Sequence, residues 1–162
     1  MTVRIRDFRD EDADDLYRIT QAAIQRIGAQ AYDAEQTAAW AAGHMNVQRF
    51  RERAASGAVI LVAVCKDDRP RAYTLLEPDG HLDQLYTHPG WTGQGLALRL
   101  LAAAEDLAKK WQIRLLYTEA SELAHPVFLR AGYELKHRRD FTIEGPSGPV
   151  PIYNYAMEKH VG

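Results

Sequence analysis

Apolar and polar positions alternate, then fall into helical spacing, then alternate again along this chain. Val3, Ile5 and Phe8, interleaved with Arg4 and Arg6, predict a first strand from Thr2 to Phe8. Leu16, Ile19, Ala23, Ile24 and Ile27 then form one face of a helix from about Ala13 to Ile27, led in by Asp10-Glu11-Asp12 and stopped at Gly28. A loop from Tyr32 to Gln36 feeds a second helix through Ala42, capped by Asp33 and closed by Gly43. Asn46 caps a third, Val47 to Ala55, which ends at Ser56-Gly57. Ala58 to Cys65 is almost continuously apolar, the pattern of a strand covered on both faces. Polar turns then separate a strand from Arg71 to Leu76 and another from His81 to Thr87, which halts at His88-Pro89 because proline cannot continue a central ladder.

The longest helical pattern follows. Leu96, Ala97, Leu100, Leu101, Ala104, Leu107 and Ala108 share one side, with Arg99, Glu105, Asp106, Lys109 and Lys110 on the other. Ile113 to Ala120 reads as a strong strand. Ser121 opens a short helix, Glu122 to Arg130, which Gly132 closes. Strands from Tyr133 to Ile143 and from Val150 to Lys159 flank the turn Glu144 to Pro149, and Tyr153 and Tyr155 share a face of the last one. The order is β-α-α-α-β-β-β-α-β-α-β-β, an α+β chain with a mixed, mostly antiparallel sheet of about seven strands and flanking helices. With no internal repeat or linker, one domain over residues 1–162 is expected.

Gly90, Gly93 and Gly95 lie between the central strand and the long helix. Glycines there either shape a tight connection or let backbone N–H groups approach a phosphate at the helix start. Two familiar phosphate loops are excluded. There is no GxxxxGK[ST], and Gly93-Gln94-Gly95-Leu96-Ala97-Leu98 stops short of GxGxxG.

Composition narrows the partners. A net charge of -2 argues against a nucleic-acid surface, and no apolar run approaches a membrane span. The charged start is not a signal peptide. The single cysteine, Cys65, excludes an internal disulfide framework, suits a reducing cytoplasm and reads as a buried inert thiol. Among six histidines, His81-x-Asp83 is the one tight ligand pair, without an HExxH or cysteine cluster, so no metal is expected.

The run Tyr86-Thr87-His88-Pro89-Gly90-Trp91-Thr92-Gly93-Gln94-Gly95-Leu96-Ala97 resembles motif A of the GNAT superfamily of acyl-CoA-dependent N-acetyltransferases. That motif is a strand, a His-Pro corner, an aromatic, then (Gln/Arg)-x-x-Gly-x-(Gly/Ala) at a helix start. Gly95 and Ala97 match it, and Thr92 stands where Gln or Arg is usual. Ala120 to Tyr133 is similar to motif B, in which Ser121 opens the helix and Gly132-Tyr133 ends it. The two segments lie in the family's order, so the resemblance spans nearly the whole chain.

The resemblance implies the GNAT fold, acetyl-CoA as co-substrate and direct transfer to an amine without an acyl-enzyme. Leu85, Tyr86 and Thr87 would present backbone to the pantetheine arm. Trp91, Thr92, Gly93, Gln94, Gly95, Leu96 and Ala97 would cradle the pyrophosphate, and Ser121 would contact pantetheine. Many relatives carry a tyrosine acid toward the sulfur where this chain has Phe128. The acceptor side would run from about Gln25 to Met45, with Tyr32, Glu35, Trp40 and His44; Tyr153 and Tyr155 are further candidates for the substrate pocket or for the missing acid. Members of the family often pair through the late strands, which makes a homodimer possible.

Transfer needs a base for the amine proton. His81 and Asp83 share a strand face, and a histidine near pKa ~6.5 suits that role; His81 equally fits a plain strand start. Glu119 is a base through water or a positioning carboxylate. Tyr117, on the same face as Glu119, is a replacement acid or a packing residue. Besides an acetyltransferase for small or peptide amines, two other readings stand: a non-catalytic acyl-CoA sensor, and an acetyltransferase that modifies proteins.

Overall fold

The computed structural model describes residues 2–162. Antiparallel pairing links β1 (Arg4–Asp7), β2 (Val59–Val64), β3 (Pro70–Leu76) and β4 (Leu82–Thr87), in that order, into one sheet. A second antiparallel sheet has the order β5 (Leu115–Ala120), β7 (Gly148–His160), β6 (Glu134–Gly145). The seven strands and their order follow the sequence pattern, while the split into sheets of four and three does not show in it.

The continuous apolar run of β2 serves two cores because side chains alternate across a strand. Ile60, Val62 and Val64 enter one core, together with Ala13, Leu16 and Ile19 of α1 (Ala13–Ala22) and Phe50 of α3 (Gln48–Ala55). Leu61 and Ala63 enter the other, with Leu96, Leu100, Leu101, Ala104 and Ala108 of α4 (Leu96–Lys110). This second core also takes Leu116, Ala120 and Met157 from the three-stranded sheet, so α4 spans the joint between the sheets. α2 (Ala34–Ala42) starts on a reciprocal cap, in which Asp33 Oδ1 accepts from the Gln36 N–H and Gln36 Oε1 from the Asp33 N–H, at 2.8 and 2.9 Å.

Two local departures from the sequence pattern matter for the site. The first helix does not end at Gly28. Past Ala22 it widens into a π-turn, Ala23–Ile27, and then a 3₁₀ turn, Gly28–Gln30. Gly28 has ordinary right-handed backbone, and what it provides is room, since a Cβ there would stand 3.1 Å from the Trp40 ring. In β4, Leu75 faces Gln84 but Leu76 faces Leu82, which leaves Asp83 as an extra, bulged residue.

Candidate active site

The β4–β5 joint creates the cleft. The two strands run parallel and touch through a bridge between His81 and Tyr117. The Tyr117 N–H donates to Gly80 O at 3.1 Å and Thr118 Oγ1 to Leu82 O at 2.7 Å. Beyond these bonds the strands part. Gly80 allows the close approach: its φ is +101°, and a Cβ would lie 2.2 Å from Leu115 O.

The splay opens a cleft of about 140 Å³. Leu85, Tyr86 and Thr87 line one side, Thr92 and Ala97 the end near the glycine turn, and Ser121 the other side. Six of the residues expected to hold a cofactor therefore converge here. Ala23 and Ile27 of the π-turn, with Leu123, Ala124 and Val127, complete the wall. Periodicity alone places Ala23 and Ile27 on an ordinary apolar helix face, because a widened helical turn has no residue signature.

Gly93 and Gly95 lie at φ +75° and +79°, and a Cβ at either would meet nothing within 4 Å. They hold an open turn, not a crowded one. Gly95 precedes α4 without a side-chain cap, so the first N–H groups of a 15-residue helix are left for an external acceptor. The corner before it is fastened by His88, whose Nδ1 accepts from the Gly90 N–H at 3.0 Å.

A second cavity, about 220 Å³, lies on the other side of Trp40, Tyr86 and Ser121, which line both. Tyr32, Phe141 and Tyr153 form its aromatic wall and Asp83 and Glu119 its acidic one. The Trp40 indole N–H donates to the Tyr86 hydroxyl at 3.1 Å. The Tyr32 hydroxyl donates to Tyr153 O and accepts from the Glu122 N–H, both at 2.9 Å, and Gln36 Nε2 donates to Pro151 O at 3.1 Å. These bonds fasten the segment between the first two helices onto the β6–β7 hairpin.

An ionisable cluster stands beside this pocket. The His81 ring has Nδ1 2.7 Å from Glu77 Oε1 and Nε2 2.8 Å from Glu119 Oε1, and it stacks on Tyr117 with centroids 4.8 Å apart. The bond to Glu119 raises its pKa to about 9; burial opposes the shift and the bond to Glu77 adds to it. His81 is therefore an imidazolium at neutral pH. That corrects the expectation of a histidine base with an ordinary pKa, because the sequence could not show two carboxylates from separate elements gripping one ring. Tyr117 Oη donates to Asp79 Oδ2 at 2.5 Å, a bond that pushes the phenol up to about 12. Neither His81 nor Tyr117 lines either of these two cavities, whereas Glu119 and Asp83 line the second. Asp83 is held by Arg53 at 2.6 Å, and burial keeps the neighbouring His44 below its usual range. Glu77, His81 and Asp83 have ligand-type atoms within 4.8 Å of one another. Arg53, 3.4 Å from Glu77, already supplies positive charge to both carboxylates.

Other expected contacts fall elsewhere. Phe128 is 2% exposed and packs edge-on against Tyr133 in the core. Leu96 is equally buried. The Trp91 ring packs against the core beneath the Arg71 guanidinium, 4.7 Å from its centroid, so Trp91 offers the turn only backbone. Gln94 is exposed on the open side of that turn. Tyr155 donates to Glu122 Oε1 and stacks on His125, away from the pocket that Tyr153 lines.

A cleft ending at a capless helix start can take a phosphate-bearing ligand, and the acid-lined chamber beside it can hold a second molecule. The family model described as acetyltransferase (GNAT) domain matches residues 28–145. A GCN5-related N-acetyltransferase structure from Rhodopseudomonas palustris is 30% identical, with a TM-score of 0.88 over 99% of this chain and 97% of that one. The PaiA N-acetyltransferase of Thermoplasma acidophilum, solved with coenzyme A, superposes at TM-score 0.79, with 18% identity and 99% of each chain covered. The phosphinothricin acetyltransferase of Sinorhizobium meliloti, solved with acetyl-CoA, reaches 0.72 at 18% identity, over 100% of this chain and 90% of that one. No curated protein matches the chain significantly. The chain belongs to the GNAT family of acetyltransferases and is an acyltransferase. Among the described residues, no helix is long and apolar enough to cross a membrane.

Proposed function

We propose that this enzyme moves the acetyl group of acetyl-CoA directly onto a primary amine of a small molecule. The observation that carries this reading is the meeting of two cavities at Trp40, Tyr86 and Ser121, one beside the glycine turn and the other lined by carboxylates. Acetyl-CoA would lay its pyrophosphate on the N–H groups from Gly93 to Ala97 and its pantetheine arm along Leu85 to Thr87 and Ser121. The relatives solved with coenzyme A or acetyl-CoA support that choice of co-substrate.

The amine enters from the acidic chamber. Glu119 accepts its proton, directly or through one water, and the His81 imidazolium holds that carboxylate in place. The amine nitrogen, neutral once Glu119 has taken the ammonium proton, bonds to the thioester carbon, the carbon–sulfur bond breaks, and the departing thiolate takes up, through solvent, the second proton that the new amide nitrogen sheds. The absence of a hydroxyl at Phe128 does not bar this sequence, because a thiolate departs without prior protonation. The bonds from Tyr32 and Gln36 to the hairpin enclose the acceptor side, which favours a small amine over a protein segment.

The chain works as one domain, because α4 and the core beneath it draw on both sheets. It works in the cytoplasm, to which a lone Cys65 is suited. The long β6, an edge strand with Leu135 45% exposed, is where a second copy would pair. Calorimetric titration with acetyl-CoA tests the central step. One site per chain is expected, with thiol release that depends on added amine, and absence of heat would return the glycines to a structural turn.

A further inference from the structure

The acceptor pocket also carries information about which amine it takes. Asp83 and Glu119 are its only charged lining residues among those described, and no lysine or arginine lines it. Glu77 and Asp79 stand behind them, each bonded within the same cluster. Against these four carboxylates stand Arg53 and the His81 imidazolium, so the cluster keeps an excess of negative charge. His44, the imidazole on the wall, is kept neutral by burial, and burial likewise holds the Tyr32, Tyr86 and Tyr153 phenols protonated. The other walls are the rings of Tyr32, Trp40, Tyr86, Phe141 and Tyr153, whose faces attract an ammonium and accept an apolar body.

We infer that the acceptor is a cationic amine with an aromatic or apolar body and no carboxylate on the carbon that bears the nitrogen, the arylalkylamine class as opposed to the α-amino acids. The inference rests on the acetyl-transfer reading above. A carboxylate beside the amine would lie next to Asp83 and Glu119 with no partner, and juxtaposed like charges reject a ligand strongly. The nearest guanidiniums are already engaged: Arg53 with Asp83 at 2.6 Å and Glu77 at 3.4 Å, and Arg138, which lies over the Tyr153 ring, with Asp140 at 3.1 Å. Arg139 donates to Asn154 Oδ1 at 2.9 Å and lies over the Phe141 ring. Arg49 lines a different cavity, about 130 Å³, that shares His44 and Asp83 with the pocket, so a carboxylate bound for Arg49 would have to pass Asp83.

The test compares matched pairs, phenethylamine with phenylalanine and tryptamine with tryptophan. Two readouts are taken: thiol release from acetyl-CoA, and calorimetric binding of each amine to the protein saturated with coenzyme A. The decarboxylated member should be favoured by at least ~10-fold in kcat/KM and in affinity. Asp83→Asn should shrink that preference, chiefly through KM, while Glu77 still engages Arg53. Equal or better use of phenylalanine, or a preference unchanged in both Asp83→Asn and Glu119→Gln, overturns the inference. A protein that binds acetyl-CoA but releases no thiol with any amine sinks the transfer reading instead, and the calorimetric preference then still decides the acceptor class.

Discussion

His81 concentrates the electrostatics of the site in one ring. Its pKa is raised from an unfolded value near ~6.5 to about 9, first by Glu119 and then by Glu77 against the cost of burial. The protonated form is the one favoured by folding. Its stabilisation is complete below about pH 6.5 and is lost as the pH climbs through 9. The Tm difference between the wild type and His81→Gln should therefore be largest at mildly acidic pH and narrow toward pH 9. NMR titration of the ring should give a midpoint near 9 that falls in Glu119→Gln. The same substitution removes the proposed base, and kcat should drop by roughly 10²-fold or more with a smaller change in KM. Phe128 yields a prediction of opposite kind. It is 2% exposed and packed on Tyr133, so Phe128→Tyr should restore no acid. It should bury a hydroxyl without a partner, lower stability by about 1–3 kcal/mol in urea unfolding, and leave kcat unimproved.

The elements were largely legible from their periodicity. The two-faced apolar run of β2, the stripe of α4 and the Asp33 cap of α2 each follow from residue spacing and appear within a few residues of the expected bounds. What escaped were irregularities in which the backbone leaves its period. The π-turn Ala23–Ile27 supplies part of the cleft wall, and the bulge at Asp83 turns that carboxylate toward the pocket. Neither has a composition signal, because a widened turn and an extra strand residue are fixed by the packing partner. The β4–β5 joint also depends on one position. Gly80→Ala would drive a methyl into Leu115 O at 2.2 Å on a left-handed backbone. That change should separate the strands at the point where they meet and lower Tm by several degrees, with a weakened acetyl-CoA titration. Gly95→Ala meets no atom and strains only its φ of +79°, at about 1 kcal/mol. It should spare most of the stability while loosening the anion cradle, so the two glycine variants separate folding from binding.

At the scale of the molecule, two sheets bridged at His81 and Tyr117 are held together by a shared core. The sequence order predicted seven strands but not where the sheet divides, since division depends on which strands diverge after the His81–Tyr117 bridge. The glycine turn before α4 could be read in advance because it is a contiguous run of residues. The acceptor side could be read only in part. Tyr32, Trp40 and Tyr153 stand out in the sequence as candidates for the pocket, whereas no pattern marks Phe141 and Asn154, which come from hairpin strands more than a hundred residues after Tyr32. The proposed transfer would set the amine and the thioester in the two adjoining cavities with no nucleophile required between them. Initial-velocity kinetics with acetyl-CoA and phenethylamine varied together test that claim most directly. Direct transfer predicts intersecting reciprocal lines and no thiol release before amine is added. Parallel lines, or a burst of thiol from acetyl-CoA alone, would reveal an acyl-enzyme and contradict it.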